Sequence, residues 1–159
     1  MKSQTLIALL PLVVLTACGN ADTEPTPVNS GTPVAAADAV CRPTANGRKV
    51  TACYLTLTAS TDDTLLSASS PASARAGLHE SRMESNMMMM HPIEGGLPMR
   101  AGVPVAFVPG GNHIMLNDVA SPLVDGDSVA LTLTFDKAPD LTVTARVGQP
   151  VVADAGSAG

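Results

Sequence analysis

Residues 79–115 have the sequence HESRMESNMMMMHPIEGGLPMRAGVPVAFVPGGNHIM, which concentrates histidine and methionine in one part of the chain. Four consecutive methionines at 87–90 precede His91, and the triplet His-Ile-Met at 113–115 follows the turn signal Pro-Gly-Gly-Asn at 109–112. Thioethers are soft, uncharged donors and imidazole is a borderline donor, so together they suit Cu(I) and offer little to calcium, magnesium or zinc. The stretch therefore predicts a soft-metal site.

The spacing within this stretch indicates which side chains can act together. His113 and Met115 are two positions apart, so in a strand both point to the same face and can bind one metal ion. Methionine also fills gaps in protein cores, so core packing remains an alternative for the run of four. His91 is interpreted as a surface histidine before a proline. Further candidate ligands are Met83, Met87, Met88, Met89 and His91.

The whole pattern is His79, ten residues, Met90, a gap of about two dozen residues, and then His113-x-Met115. It resembles the pattern of the PCu(A)C-like periplasmic copper chaperones, as do the segments CYLTLTAS, SSPASARAGLHE, MMMMHPIEGG and PGGNHIML. The resemblance covers residues 40–147. It implies a cupredoxin-like Greek-key β-sandwich or barrel with His79, Met90, His113 and Met115 as the ligands of one Cu(I) ion. It also implies delivery of that ion to the copper centre of a terminal cytochrome oxidase.

Alternation of apolar and polar residues predicts strands along most of the remaining chain. Residues 49–60, 129–135 and 141–147 alternate clearly, and turn signals recur every eight to twelve residues. Short strands with this spacing are typical of an all-β sandwich or barrel. The net charge of −5 and the lack of a basic patch argue against a nucleic-acid partner.

The N-terminal residues indicate export and a lipid anchor. Residues 1–17 have the short positive start and apolar run of a secretory signal peptide, and the tetrapeptide Leu-Thr-Ala-Cys that ends at Cys18 resembles a bacterial lipobox. Acylation of Cys18 would attach the chain to a membrane, whereas an ordinary signal cut elsewhere is the alternative. We predict a flexible linker over 18–38, a copper-binding domain over 39–148 and a disordered tail over 149–159.

Two cysteines remain once Cys18 is assigned to the anchor. Leftover cysteines of an exported protein most often form a disulfide, and the Asn46-Gly47 turn signal between Cys41 and Cys53 predicts a hairpin that can bring them together. The alternative is that both are thiolate metal ligands.

Two imidazoles and two thioethers form an uncharged ligand set without a neighbouring cysteine, which favours carriage of Cu(I) over redox turnover. We therefore predict a copper chaperone and not an enzyme, located on the periplasmic or cell-surface side of a membrane. Its predicted partner is a membrane-bound oxidase subunit or another copper chaperone. Three alternatives stay open: a copper-buffering lipoprotein without a dedicated client, a thiol–disulfide reductase using Cys41 and Cys53, and a purely structural lipoprotein.

Overall fold

The computed structural model describes residues 33–150, and every helix or strand assigned in this part of the chain is a β-strand, which confirms the predicted all-β class. The strands are β1 Val34–Cys41, β2 Val50–Ala59, β3 Asp63–Ser69, β4 Ser73–Glu84, β5 Met87–Pro92, β6 Leu97–Met99, β7 Val105–Phe107, β8 Asn112–Val119, β9 Ser128–Phe135 and β10 Leu141–Val147. Within residues 33–150 no helix is long and apolar enough to span a membrane. The predicted signal peptide, Cys18 and the tail from residue 151 lie outside the described residues.

The ten strands form one sheet in the order β5-β4-β8-β7-β2-β1-β10-β9-β3-β6, with a further pairing between β8 and β2. Most neighbours are antiparallel, but β1 runs parallel to β10 and β7 runs parallel to β8. Neighbours that are distant in sequence, such as β4 and β8, require the crossover connections that characterise Greek-key sandwiches and barrels. Strands β5 and β6 are the two ends of this order.

The core forms because apolar side chains alternate along the central strands. In β2 the side chains of Cys53, Leu55 and Leu57 are buried, whereas Thr56 and Thr58 on the other face are partly exposed. This is the division of faces that the sequence predicts. Strand β9 repeats it, and its alternate apolar residues join the same cluster as those of β2 and β8.

The first strand corrects the predicted boundary between linker and domain. Strand β1 begins at Val34, whereas the sequence assigned residues 18–38 to the linker and began the domain at residue 39. The segment Val-Ala-Ala-Ala-Asp lacks the alternation that reveals a strand. The segment forms a strand because it pairs with β2, in which Val34 lies opposite Ala59, and because Val34 is buried in the core.

Strand β6 is a second element that the sequence analysis missed. Gly95, Gly96 and Pro98 give residues 94–98 the composition of a loop, yet Leu97–Met99 pairs with β3 at the end of the sheet. A proline is tolerated in an edge strand, where its missing N–H breaks no ladder. The buried side chain of Met99 ties this short strand to the core.

A disulfide joins the first two strands. Cys41 and Cys53 lie directly opposite each other in the β1–β2 pairing and are bonded, so the predicted disulfide is present. Both residues are fully buried among the core side chains. The thiolate-ligand alternative does not apply to these two sulfur atoms, because each is bonded to the other.

A buried carboxylate holds the start of β3 against the segment after β9. Asp63 is 6% exposed, and its Oδ1 accepts hydrogen bonds from the backbone N–H groups of Thr64 at 2.7 Å and Lys137 at 3.0 Å. Its Oδ2 accepts one from Ala138 at 2.8 Å. Burial raises the pKa of Asp63, but these three hydrogen bonds and the charge of Lys137 outweigh burial, so the pKa lies below 3.8.

Replacing Asp63 with asparagine is expected to lower the free energy of unfolding at neutral pH by about 2 kcal/mol, because bonds to a charged acceptor are lost. A carboxylate whose pKa is lowered on folding contributes stability above its unfolded value, here near 3.8. That contribution disappears as the pH falls through the folded value. Urea unfolding at about pH 7 and about pH 3 should therefore show the wild type losing its advantage only in acid. An equal difference at both pH values would contradict this account.

Candidate metal centre

Strands β4, β5 and β8 are neighbours, and their register places the four predicted ligands on one face of the sheet. His79 on β4 lies directly opposite His113 on β8, and Met115 lies opposite Gly77, two residues along β4 on the same face. On the other side of β4, Met90 lies opposite Ser81, which also shares the face of His79. Residues that are distant in sequence are thus brought together on one surface, which we call the outer face.

The outer face is the side of these strands that points away from the core. Leu78 and Ile114 alternate with the two histidines and are buried in the apolar cluster. The rings of His79 and His113 are stacked, with centroids 5.9 Å apart and an interplanar angle of 25°. His113 is only 4% exposed, whereas His79 is partly exposed, so the pair has one sheltered and one accessible member.

The ring of His113 is held by the turn that precedes it. Its Nδ1–H donates to the carbonyl oxygen of Gly111 at 3.0 Å, which leaves the lone pair on Nε2. Nε2 is buried and has no hydrogen-bond partner among the described residues. The turn itself is closed by a hydrogen bond from Gly111 N–H to the Val108 carbonyl, with Pro109 and then Gly110 at a φ of 82° in the middle, the pattern of a type II turn.

The ring of His79 lies against a glycine. A Cβ atom on Gly77 would lie 3.2 Å from Nε2 of His79, so the absence of a side chain there gives the ring its room. Gly77 is also the cross-strand neighbour of Met115, so the His79 ring lies against the residue that faces that methionine. Nδ1 of His79 is buried and, within residues 33–150, has no hydrogen-bond partner.

The environment of His79 favours its neutral form. Burial, and secondly the charge of His113, lower the pKa of His79 below 6.5. A neutral imidazole has a lone pair for a metal ion, whereas the imidazolium has none. His79 is therefore able to donate at neutral pH without first losing a proton.

The methionine run divides between the two faces of the β4–β5 hairpin. Met88 and Met90 lie on the outer face, and Met87 and Met89 lie on the opposite face. All four are exposed, which excludes the core-packing interpretation of the run. His91 also lies on the opposite face, and its Nε2 is 3.0 Å from Oε1 of Glu84.

Two residues that shape this site, Gly77 and Gly111, are not evident from the sequence as functional residues. Neither carries a donor side chain, so a search for ligand types passes over both. Gly111 stood within the turn signal, but its role requires the hydrogen bond to His113. Among residues 33–150, no group of three or more His, Cys, Asp or Glu side chains is arranged to hold a metal.

A model of the LpqE-like lipoprotein family matches residues 34–147, which span all ten strands. The chain belongs to the LpqE-like lipoproteins. This LpqE-like protein is 32% identical over 71 residues to Lxx21020 of Leifsonia xyli subsp. xyli, a protein that is itself named as a lipoprotein. The alignment covers 45% of this chain and 43% of the relative, so the chain spans less than half the length of that protein.

Solved PCuAC domains share the fold of this LpqE-like protein. The apo PCuAC domain of PmoF1 has a TM-score of 0.63 at 21% identity, covering 78% of this chain and 98% of that domain. The copper-bound PCuAC domain of PmoF2 has a TM-score of 0.61 at 21% identity, with coverage of 78% and 97%. Apo-DR1885 from Deinococcus radiodurans has a TM-score of 0.58 at 23% identity, with coverage of 95% and 98%. The cupredoxin-like fold that the sequence resemblance implied is confirmed.

Proposed function

We propose that this protein is an extracytoplasmic copper chaperone that binds one Cu(I) ion through His79, Met90, His113 and Met115. The observation that carries the proposal is the stacked pair of imidazoles, each with a buried nitrogen that lacks a hydrogen-bond partner among the described residues. Two methionines share the face of this pair. A PCuAC domain of PmoF2 binds copper and DR1885 binds Cu(I), which supports the choice of metal.

The chemistry of the ligand set suits a protein that binds the ion and then releases it to an acceptor. Imidazole and thioether donors are uncharged, so the site stabilises Cu(I) through soft donors without adding Coulomb attraction. An acceptor with thiolate ligands would bind the same ion more strongly and draw it away. Because His79 is partly exposed and Met90 is exposed, such an acceptor has access to the ion.

Membership of a lipoprotein family supports an anchor at Cys18 and a location outside the cytoplasm. We propose that residues 19–33 then tether the domain near a membrane-bound acceptor and raise its effective concentration there. The acceptor in this proposal is the copper centre of a respiratory oxidase. Deleting the gene under limiting copper should lower the copper content and activity of cytochrome oxidase. Normal oxidase together with increased copper sensitivity would instead support a copper-buffering lipoprotein.

Replacing Met90 and Met115 together with leucine tests the thioether ligands. We expect the affinity for Cu(I) to fall by at least about a hundredfold, because leucine preserves apolar volume but removes two soft donors. Competition with a chromophoric Cu(I) chelator measures the change. The matched control is Met87→Leu with Met89→Leu, which removes two thioethers from the opposite face. An unchanged affinity in the first variant, or an equal loss in the control, would contradict the ligand assignment.

The affinity for Cu(I) should depend on pH in a way that reflects the lowered pKa of His79. Protons compete with the metal ion for the imidazole of His79. The affinity for Cu(I) therefore falls as the pH falls through the pKa of His79, and at higher pH the protonation of His79 no longer affects it. Since that pKa lies below 6.5, proton competition at His79 should begin below 6.5. The expected decline is about tenfold per pH unit for each competing proton. A decline that begins well above pH 6.5 and is still present when His113 is replaced with glutamine would contradict the lowered pKa of His79.

A further inference from the structure

The β4–β5 hairpin carries exposed methionines beyond the four proposed ligands. On the outer face, Met83 is 62% exposed, Met88 is 56% exposed and Met90 is 50% exposed. We call these three residues the tip methionines. Strand β5 is the last strand of the sheet on this side, so Met88 and Met90 lie on the edge strand and Met83 lies on its neighbour β4.

The apolar side chains at the tip of this hairpin are all of one type. Every apolar side chain within residues 82–91 is a methionine, and the segment contains no Leu, Ile, Val or Phe. An exposed apolar edge strand is an aggregation liability, so a general need for hydrophobic side chains does not explain it. Thioether sulfur is what methionine offers and the aliphatic residues do not, so the composition indicates soft-metal chemistry at the tip.

The register places the tip methionines in contact distance of one another. Met83 lies directly opposite Met88, a position in which Cβ atoms are about 4.5–5.5 Å apart. Met90 lies opposite Ser81, so it is a diagonal neighbour of Met83 on one side and of His79 on the other. Flexible thioether side chains span such diagonal distances of about 7–8 Å. Met90 is therefore shared between the tip and the histidine pair.

We propose that Met83, Met88 and Met90 form a second, solvent-facing Cu(I) site through which the ion enters and leaves the protein. The proposal rests on the proposed function, because it supplies the route to the site at His79 and His113. Transfer is ligand exchange: bonds from copper to the sulfurs of Met83 and Met88 break as bonds to the two histidines and to the sulfur of Met115 form. Met90 stays bound throughout. The ion remains Cu(I), so no electron acceptor or donor is required.

Kinetics separate this second site from the first. In the full-length protein, Met83→Leu with Met88→Leu should slow Cu(I) uptake from a chromophoric chelator complex by about tenfold. The equilibrium affinity should stay within about twofold, because the four proposed ligands remain. Met87→Leu with Met89→Leu is the matched control on the opposite face, and its uptake rate should equal that of the wild type. Equal slowing in both variants, or none in the first, would overturn the second site.

Methyl spectra of methionine identify the sulfurs that bind, because Cu(I) is diamagnetic. In a His79→Ala and His113→Ala variant, titration with Cu(I) should still shift the methyl signals of Met83, Met88 and Met90. If none of these three signals shifts in a double-histidine variant that stays folded, the tip site is overturned and the proposed function is left intact. A wild type in which no methionine shifts would instead reject the proposed function itself. Tip signals that respond to an acceptor protein but not to Cu(I) would identify a docking surface and overturn the second site.

Discussion

Replacing His113 with alanine is expected to lower the affinity of the protein for Cu(I) by about 100- to 1,000-fold. Sites with four ligands for Zn²⁺ are worth about 10–16 kcal/mol, or roughly 2.5–4 kcal/mol per ligand, and each 1.4 kcal/mol is a factor of ten. His113 should lie in the upper part of this range among the ligands. It is 4% exposed, and its Nε2 is already oriented by the bond from Nδ1 to Gly111.

Two further variants make the result of this experiment specific. His91→Ala removes an imidazole from the opposite face of the hairpin and should leave the affinity for Cu(I) unchanged. His113→Gln retains most of the buried volume. It replaces the alanine variant in the experiment if circular dichroism shows that the alanine variant is unfolded. Chelator competition on all three proteins measures the affinities. A His113 variant that stays folded and binds within threefold of the wild type would remove this residue from the proposed site.

Local sequence patterns were sufficient for part of the site. The separation of His113 and Met115 by one residue predicts a shared face wherever that segment is extended. The β4–β5 register can also be derived from the sequence, because a two-residue turn at Ser85 and Asn86 fixes which residues face each other. The φ angles of 50° and 63° at these two positions fit such a turn, and Met90 then falls opposite Ser81.

The meeting of the two histidines could not be predicted in this way. His79 and His113 lie on β4 and β8, and their alignment depends on how the whole sheet is ordered. A shift of one residue would move every β4 side chain to the other face. The role of Gly77 is equally hard to predict from the sequence, because it consists in leaving space for the ring of His79. The sequence resemblance identified both histidines without giving this geometry.

Strands with little apolar contrast were predicted less well than strands with clear alternation, for a related reason. Strand β9 is buried on one face and shows clear alternation, whereas β1 has three consecutive alanines that fit either face. Segments with little apolar contrast take their conformation from the strands they pair with. Strand β1 is held between β2, the next strand along the chain, and β10, which is distant in sequence. The conformation of β1 is therefore set by its pairing with other strands, and the periodicity of its own residues does not reveal it.

Replacing Cys41 and Cys53 together with alanine is expected to lower the free energy of unfolding by about 3 kcal/mol. The bond closes a loop between residues 12 positions apart, and the chain-entropy model assigns about 3 kcal/mol to a loop of 15 residues. Both sulfurs are also fully buried, so their removal costs packing contacts in addition. For a domain of this size the melting temperature should fall by roughly 12 °C, at about 4 °C per kcal/mol.

Reduction of the wild type provides the control for this loss, because it breaks the bond without removing the sulfur atoms. Under a strong reductant the wild type should melt below the oxidised protein and above the double variant, which also lacks the sulfur atoms, and the variant itself should not respond. The effect should extend to copper binding only weakly, although Cys53 lies opposite Ile114, the neighbour of His113 in β8. The remaining β4–β8 pairing still aligns the two histidines. A reduced wild type that melts at the oxidised temperature would show that β1 is held by its strand partners alone, and that the disulfide contributes nothing to stability.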